Sequence, residues 1–522
     1  GAGEEPSTPA PPSGRPLPRD PSVTAPDEAA TPAAAGKPRE GAGEGTPAAA
    51  RSLFKARAGD WPMWGGRPSR NIVNDHEKGI PASWDLKTKR NIKWIADLGS
   101  QSYGNPVVAE GKIFIGTNNQ AERNPKIQGD KGIIMCFEEA TGKFLWQSAH
   151  DKLEAGRVND WPEQGICSSP CVEEGKAYYV SNRAEVVCAD VNGFLDGKND
   201  GPYVDEKYKP GEGEKLEASI DGDFIWVYDM MEELGVFPHN LATSSPLIVG
   251  DLLFVVTSNG VEKDHITIPA PRAPSFIALR KATGELVWED SSPGEKILHG
   301  QWSSPSYIEA GGRPQVIFAA GDGWVRSFDP PTGEIIWEFD CNPKDAVYEL
   351  GGKGTRNYII ATPVCVDGHV YIAQGQDPEH GEGIGHLYSI DASREGDVTQ
   401  SGRTWHYGDK DFRRTIATCA VKDGLVYAAD LSGYFHCLDQ KTGRPYWVHD
   451  MLAAVWGSPS WIDGKVYLGD EDGDVTVFKA GKTLEVLFET NMENSVYTTP
   501  VAAHGVLYIV NRTHLFAIAE EK

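Results

Sequence analysis

The frame Thr-Gly-x-x-x-Trp constrains this chain more than any other feature. It stands with unchanged spacing at Thr141 to Trp146, Thr283 to Trp288, Thr332 to Trp337 and Thr442 to Trp447, with a looser copy at Ser401, Gly402 and Trp405. Repetition of one frame marks an array of equivalent units. Each unit opens on a small polar residue before Pro: Asn105-Pro106, Ser169-Pro170, Ser245-Pro246, Ser304-Pro305, Thr362-Pro363, Ser458-Pro459 and Thr499-Pro500, with Thr418-Cys419 in the same place. A short apolar strand follows, then a turn at Gly111, Gly175, Gly250, Gly312, Gly368, Gly424, Gly464 or Gly505, then a strand rich in Val, Ile and Tyr. Two such strands joined through Gly read as a hairpin. A third strand, often ending in an acidic residue as at Asp190, Asp329, Asp391 and Asp439, leads into the Thr-Gly turn and a fourth strand that carries the Trp.

Four strands per unit, at a shortest period of roughly 40 residues, signal propeller blades rather than a helical solenoid. The eight openings predict an all-β, eight-bladed propeller over residues 58–522. The last unit runs out after three strands, and Lys87 to Trp94 reads as a worn copy of the Trp strand. The ring is therefore expected to close by pairing this first ordered strand with the last blade, which removes open sheet edges. The blade tryptophans are then Trp94, Trp146, Trp226, Trp288, Trp337, Trp405 and Trp447. Blade seven, with no Trp after Gly481, departs most plainly from the pattern. Residues 1–57 are Pro, Ala, Gly, Ser, Thr and Glu with almost no large apolar side chain before Leu53. Such a segment buries too little surface to offset the entropy of ordering it, so a disordered arm is expected.

A net charge of −25 opposes nonspecific attraction to nucleic acid or an anionic membrane surface. No apolar run is long enough for a spanning helix. The start at Gly1 without a basic and apolar leader fits either removal of a targeting segment or an artificial start. The eight Cys contain no adjacent pair and no CxxC, and Cys136, Cys188 and Cys437 hold equivalent repeat positions, as buried small residues do. Nucleophile-elbow, zincin and P-loop motifs are lacking.

The repeat of small hydroxyl-Pro, strand, Gly turn, Val-Tyr strand, Asp and Thr-Gly-x-x-x-Trp resembles that of the pyrroloquinoline-quinone-like (PQQ-like) propellers. That superfamily includes quinoprotein alcohol dehydrogenases and the noncatalytic propeller lipoprotein of the outer-membrane β-barrel assembly machine. Stretches such as Gly235 to His239 and Pro293 to Pro305 look like those of secreted planctomycete-type propellers. The resemblance implies a repeated Trp packed between blades with its ring over the preceding turn, and a secreted, periplasmic or envelope location. It also implies PQQ and calcium as candidate cofactors, held in the dehydrogenases by a vicinal disulfide, a Trp floor, carboxylate and amide ligands and an Asp base. None of these can be matched residue by residue, so no catalytic residue is assigned.

Six positions before each opening Pro stand Ser100, Gln164, Asn240, His299, Asn357, Arg413, Ala453 and Asn494. Of these, Gln164, Asn240, His299, Asn357, Arg413 and Asn494, flanked by His239, Arg356 and Arg414, are the candidates for a central funnel. Amides and forked cations converging on one axis would suit a small polar or anionic ligand. Trp302 and Trp456, three before their Pro, read as core, though either could stack on a planar ring. The loop from Asp196 through Asp200 to Asp205 resembles half a calcium loop, with Lys198 and Lys207 where oxygen ligands would be needed. Glu379, His380 and His386 form a weaker metal suggestion. The expected role is a noncatalytic binding or scaffold platform for a protein or a small ligand, with a quinone-dependent alcohol or sugar dehydrogenase as the alternative.

Overall fold

The computed structural model of the chain describes residues 53–375 and 383–521. Its strands form eight sheets, one per predicted blade, each built of four antiparallel strands in the order the repeat dictates. The innermost strands begin directly after the eight openings, at Val107–Ala109, Cys171–Glu173, Leu247–Val249, Ser306–Ala310, Val364–Val366, Ala420–Lys422, Ser460–Ile462 and Val501–Ala503. Glycine is needed in the first turn because both turn residues take positive φ, as at Asp423 (52°) and Gly424 (77°). That is the hairpin geometry whose twist matches the strands.

Ring closure follows the expectation. Ile92–Asp97 pairs antiparallel with His514–Ile518 of the last blade, Trp94 lying opposite Ala517. Two blades carry an extra strand: Val73–Asn74 runs parallel to the inner strand of blade seven, and Gly396–Asp397 runs parallel to the outer strand of blade four.

The structure gives the Thr-Gly frame a physical meaning. Thr442 Oγ1 donates to Asp439 (2.9 Å), which ties the turn to the acidic end of the third strand. The Gly then accepts the Trp ring of the blade before it: a Cβ on Gly142 would fall 2.5 Å from the Trp94 ring, and one on Gly443 2.5 Å from Trp405. Each indole N–H donates into that neighbouring turn, Trp94 to Glu139 O (3.2 Å), Trp146 to Val191 O (3.0 Å), Trp226 to Lys281 O (3.1 Å), Trp288 to Pro330 O (2.8 Å), Trp405 to Gln440 O (2.8 Å) and Trp447 to Gly481 O (3.0 Å). The ring thus covers the turn of the blade that follows, not one that precedes it. Trp337 differs because the looser Ser401-Gly402 turn packs Gly402 on Val398. Its indole instead donates to Gln315 Oε1 (2.8 Å), whose amide reaches Ala392 O of blade five (2.8 Å). Where blade seven lacks a Trp, Phe488 fills the position and meets Trp84 edge-on at 5.2 Å.

A second device closes the ring. Residues 61–77 make contact with the inner strand of every blade in turn. Trp61 pairs with Val108 of blade one, and Pro62 O accepts from Val172 of blade two. Arg70 donates to Ser245 O (2.9 Å) and Pro246 O (2.8 Å) of blade three and to Pro305 O (2.8 Å) of blade four. Ser69 O accepts from Cys365 of blade five, and Asn71 exchanges two hydrogen bonds with Val421 of blade six. Ile72 O accepts from Trp461 of blade seven, and Asn74 donates to Ala502 O of blade eight (2.8 Å). The segment is a strap across one end of the channel. Just before it, Lys55 N donates to Glu173 (2.6 Å) and Leu53 O accepts from Gly250 (2.7 Å), so residues 53–57 are docked on blades two and three.

Candidate functional site

The openings of the blades build a funnel of about 400 Å³ around the axis. Residues alternate in direction along an extended chain, so positions one and three before the Pro share a face. Position three faces the funnel in all eight blades, as Tyr103, Cys167, Thr243, Trp302, Ile360, Ile416, Trp456 and Tyr497. Position one carries a chain of hydrogen bonds from blade to blade that runs from Thr362 of blade five round to Ser304 of blade four. Ser169 N donates to Ser245 Oγ (3.0 Å), Ser245 N to Ser304 Oγ (2.9 Å), Thr418 N to Ser458 Oγ (2.9 Å) and Ser458 N to Thr499 Oγ1 (2.9 Å). Thr499 N donates on to Asn105 Oδ1 of blade one (2.7 Å). Thr362 Oγ1 instead accepts the indole N–H of Trp64 (3.0 Å), so the strap supplies the aromatic floor.

Aromatic rings line the wall. Tyr103 and Tyr497 stack at 5.0 Å, and Trp456 meets Tyr497 edge-on at 5.3 Å. Trp302, anchored by donation to His239 O and Leu241 O (both 3.1 Å), and Trp161 line it as well. Trp302 and Trp456 are therefore half-buried funnel residues, not core, because the axis of the ring leaves their faces open. Burial pushes the Tyr103 hydroxyl and the Cys167 thiol each up to about 12, so both are neutral at physiological pH. Among the described residues of the lining there is no Asp, Glu, Lys or Arg.

The row six positions before Pro has a different fate. Gln164 and Asn240 line the funnel. Asn357 is buried, its amide donating to Ile384 O (2.9 Å) and its backbone exchanging bonds with Asn342. Arg413 lies over the Tyr434 ring at 5.8 Å, Asn494 is half-buried near Ser495, and His299 is buried beside His239. Arg356 is held by Asp340 (2.8 Å). These side chains do not converge on one point. Nor do the three loop carboxylates: Asp196 pairs with Lys198 (3.2 Å), Asp205 is 91% exposed, and Asp200 offers its backbone N–H to Asp223. Glu379 and His380 lie outside the described residues, while His386 Nδ1 sits 2.8 Å from His406 Nε2.

A family model described as outer membrane protein assembly factor BamB matches residues 219–377 and 321–489, which together make up just over half of the chain. The chain belongs to this family of PQQ-like propellers. Its relatives divide in kind. It is 23% identical over 331 residues to a polyvinylalcohol dehydrogenase of a Pseudomonas species, covering 61% of this chain and 46% of that one. It is 20% identical to a lupanine 17-hydroxylase, also of Pseudomonas, covering 78% of this chain and 59% of that one. To the outer membrane protein assembly factor BamB of Yersinia pestis it is 21% identical, covering 55% and 64%. The chain thus spans about half the length of these two Pseudomonas relatives. Among solved structures, BamB of Moraxella catarrhalis superposes with a TM-score of 0.48 at 14% identity, covering 80% and 95%.

PQQ is a tricarboxylate, and a calcium ion beside it requires several oxygen ligands. Groups of this kind need cations and carboxylates, and the described lining of this PQQ-like propeller's funnel offers neither. Its residues do not fit the quinone and its metal.

Proposed function

We propose that the protein is a noncatalytic binding platform of the cell envelope or extracellular space, and that its central funnel takes an uncharged ligand with a flat face, such as a sugar or a neutral aromatic ring. The observation that carries this reading is the composition of the wall. Trp302, Trp456, Trp161, Tyr103 and Tyr497 supply ring faces, the floor is Trp64, and the amides of Asn105, Gln164 and Asn240 supply donors and acceptors without charge. Apolar faces with a few fixed polar groups are the usual chemistry of a small-molecule site. An anionic ligand would lose its hydration here with no counter-charge to replace it. The envelope location is supported by the match to an outer membrane assembly factor. Among the described residues no helix is long and apolar enough to cross a membrane. The rim loops are left to engage a protein partner.

Titration of tag-free protein with a panel of neutral saccharides and aromatic compounds, followed by tryptophan fluorescence, tests the proposal. Saturable binding is expected, weakened about tenfold or more by Trp456→Ala or Trp302→Ala, since a lost aromatic partner costs on the order of 1 kcal/mol beyond the area it covered. Melting should change little, because both rings are half-exposed. Quinone-dependent dye reduction on addition of PQQ and calcium would overturn the reading in favour of a dehydrogenase.

A further inference from the structure

Three loops that are far apart in sequence bring His239, His265 and His299 together beside the funnel. Their potential ligand nitrogens all lie within 4.8 Å of one another. The ring centroids are 4.3 Å apart for His239 and His299, 4.7 Å for His265 and His299, and 4.9 Å for His239 and His265. His239 and His299 are fully buried, and His265, on the insertion of blade three, is half-buried.

Outer contacts set the orientation of the buried pair. His239 Nδ1 lies 2.7 Å from Val261 O. A carbonyl can only accept, so Nδ1 carries the proton and Nε2 is the ligand nitrogen. His299 Nδ1 lies 2.9 Å from the Tyr358 hydroxyl, which can hold that ring in the same sense. Donation of the second ring nitrogen to a carbonyl or a hydroxyl is the usual support of a metal-bound imidazole. The half-exposed His265 is the side chain able to close the remaining distance. A tetrahedral ion with bonds of about 2.0–2.1 Å needs nitrogens roughly 3.4 Å apart.

His239 and His265 also line a pocket of about 290 Å³ with Arg157, Trp161, Asn240 and Lys263. Arg157 is stacked on the Trp161 ring at 3.6 Å. This pocket carries two cationic side chains and no carboxylate among its described lining residues, in contrast to the neutral funnel that shares Trp161 and Asn240 with it.

We infer that His239, His265 and His299 bind one divalent transition-metal ion of the zinc type, with its fourth position turned to this pocket, where a carboxylate completes the coordination. Three neutral imidazoles suit zinc, cobalt or copper ions rather than calcium or magnesium. An open fourth position beside Arg157 and Lys263 favours an anion over water alone.

The test uses the full, tag-free chain stripped with chelator. Added Co(II) should give the intense visible bands of a tetrahedral site and saturate at one ion per chain. Zinc should remain at one per chain after dialysis, as counted by elemental mass spectrometry. Acetate should shift the cobalt bands. His265→Ala removes a half-exposed ligand without opening the core, and should weaken binding by more than about 100-fold, beyond the 10–100-fold cost of losing an outer partner. His504→Ala, which alters an imidazole on another face, should not. Failure of zinc to remain on the protein, or binding unchanged in His265→Ala at unchanged melting temperature, overturns the site. A tetrahedral cobalt spectrum indifferent to acetate overturns the fourth-ligand assignment.

Discussion

Arg70 is the residue on which the strap can be tested most sharply. Its side chain is fully buried, and its guanidinium donates to four carbonyl oxygens: Trp64 (2.7 Å), Pro305 (2.8 Å), Pro246 (2.8 Å) and Ser245 (2.9 Å). Burial pushes it down to about 10 from its ordinary 12.5, which still leaves it protonated at neutral pH. Arg70→Met keeps much of the volume and removes the charge. Two effects then oppose each other. Relief of the buried charge favours the variant by several kcal/mol, whereas the lost charge-assisted bonds contributed about 1.5–3 kcal/mol each. Four such bonds outweigh one desolvation, so the variant should be destabilised by about 3–5 kcal/mol, as when one partner of a buried charged network is removed. With about 2.1 cal/mol/K per residue, a chain of 522 residues has an unfolding entropy near 1 kcal/mol/K. Differential scanning calorimetry should therefore show Tm lower by roughly 3–5 °C, with the transition still single. An unchanged or raised Tm would refute the view that the strap is held by these bonds.

Deleting residues 85–98 removes the strand that closes blade eight and should destabilise the whole propeller cooperatively, while deleting 1–52 should leave its melting unchanged; equal effects would contradict closure by Ile92–Asp97. Asp223 is fully buried, with Oδ2 accepting from Asp200 N (2.8 Å). Burial, reinforced by the Glu206, Asp200 and Asp190 carboxylates, pushes it up to about 7. An acid whose folded value is raised binds its proton more readily when folded, so the cost of its charge is full above about 7 and fades as pH falls toward the unfolded value of 3.8. Asp223→Asn should accordingly raise stability at pH 8, on the order of 2–4 kcal/mol, and change little near pH 4. Equal effects at both pH values in thermal melts would rule out burial of the charge as the cause.

The ring was legible in the sequence because its devices recur. The Trp, the Thr-Gly turn and the acidic strand end serve one purpose in most of the blades, so selection of the same contact writes the same residues. The strap was not legible for the opposite reason. Trp61, Ser69, Asn71 and Asn74 each bond a different blade, and no period results. The sequence shows only a cluster of Trp, Arg and Asn without a pattern. His239 and His299 stand among the funnel candidates of the sequence, but their meeting with His265 does not, as these loops come together only once the ring has set blades three and four side by side.

The funnel lay between these cases. Its row was in the sequence, but counting six positions back from the Pro leaves the parity of positions one and three and reaches past the extended stretch into loops, so that only Gln164 and Asn240 of that row line the funnel. Parity alone would have found Tyr103, Trp302, Trp456 and Tyr497. The two funnel rows also differ in freedom. Position one carries a small acceptor, because its oxygen receives the neighbouring blade's N–H, as from Thr418 N to Ser458 and from Ser458 N to Thr499, or at Thr362 the indole N–H of Trp64. Among the described residues, position three carries one hydrogen bond between neighbours, from Thr243 Oγ1 to Trp302 O (3.2 Å). It holds Tyr, Cys, Thr, Trp, Ile, Ile, Trp and Tyr in turn without disturbing the ring. A fold that constrains one row more than the next can change what it binds at little structural cost, so if the funnel takes a ligand as proposed, its specificity is expected to reside in the residues three before the Pro.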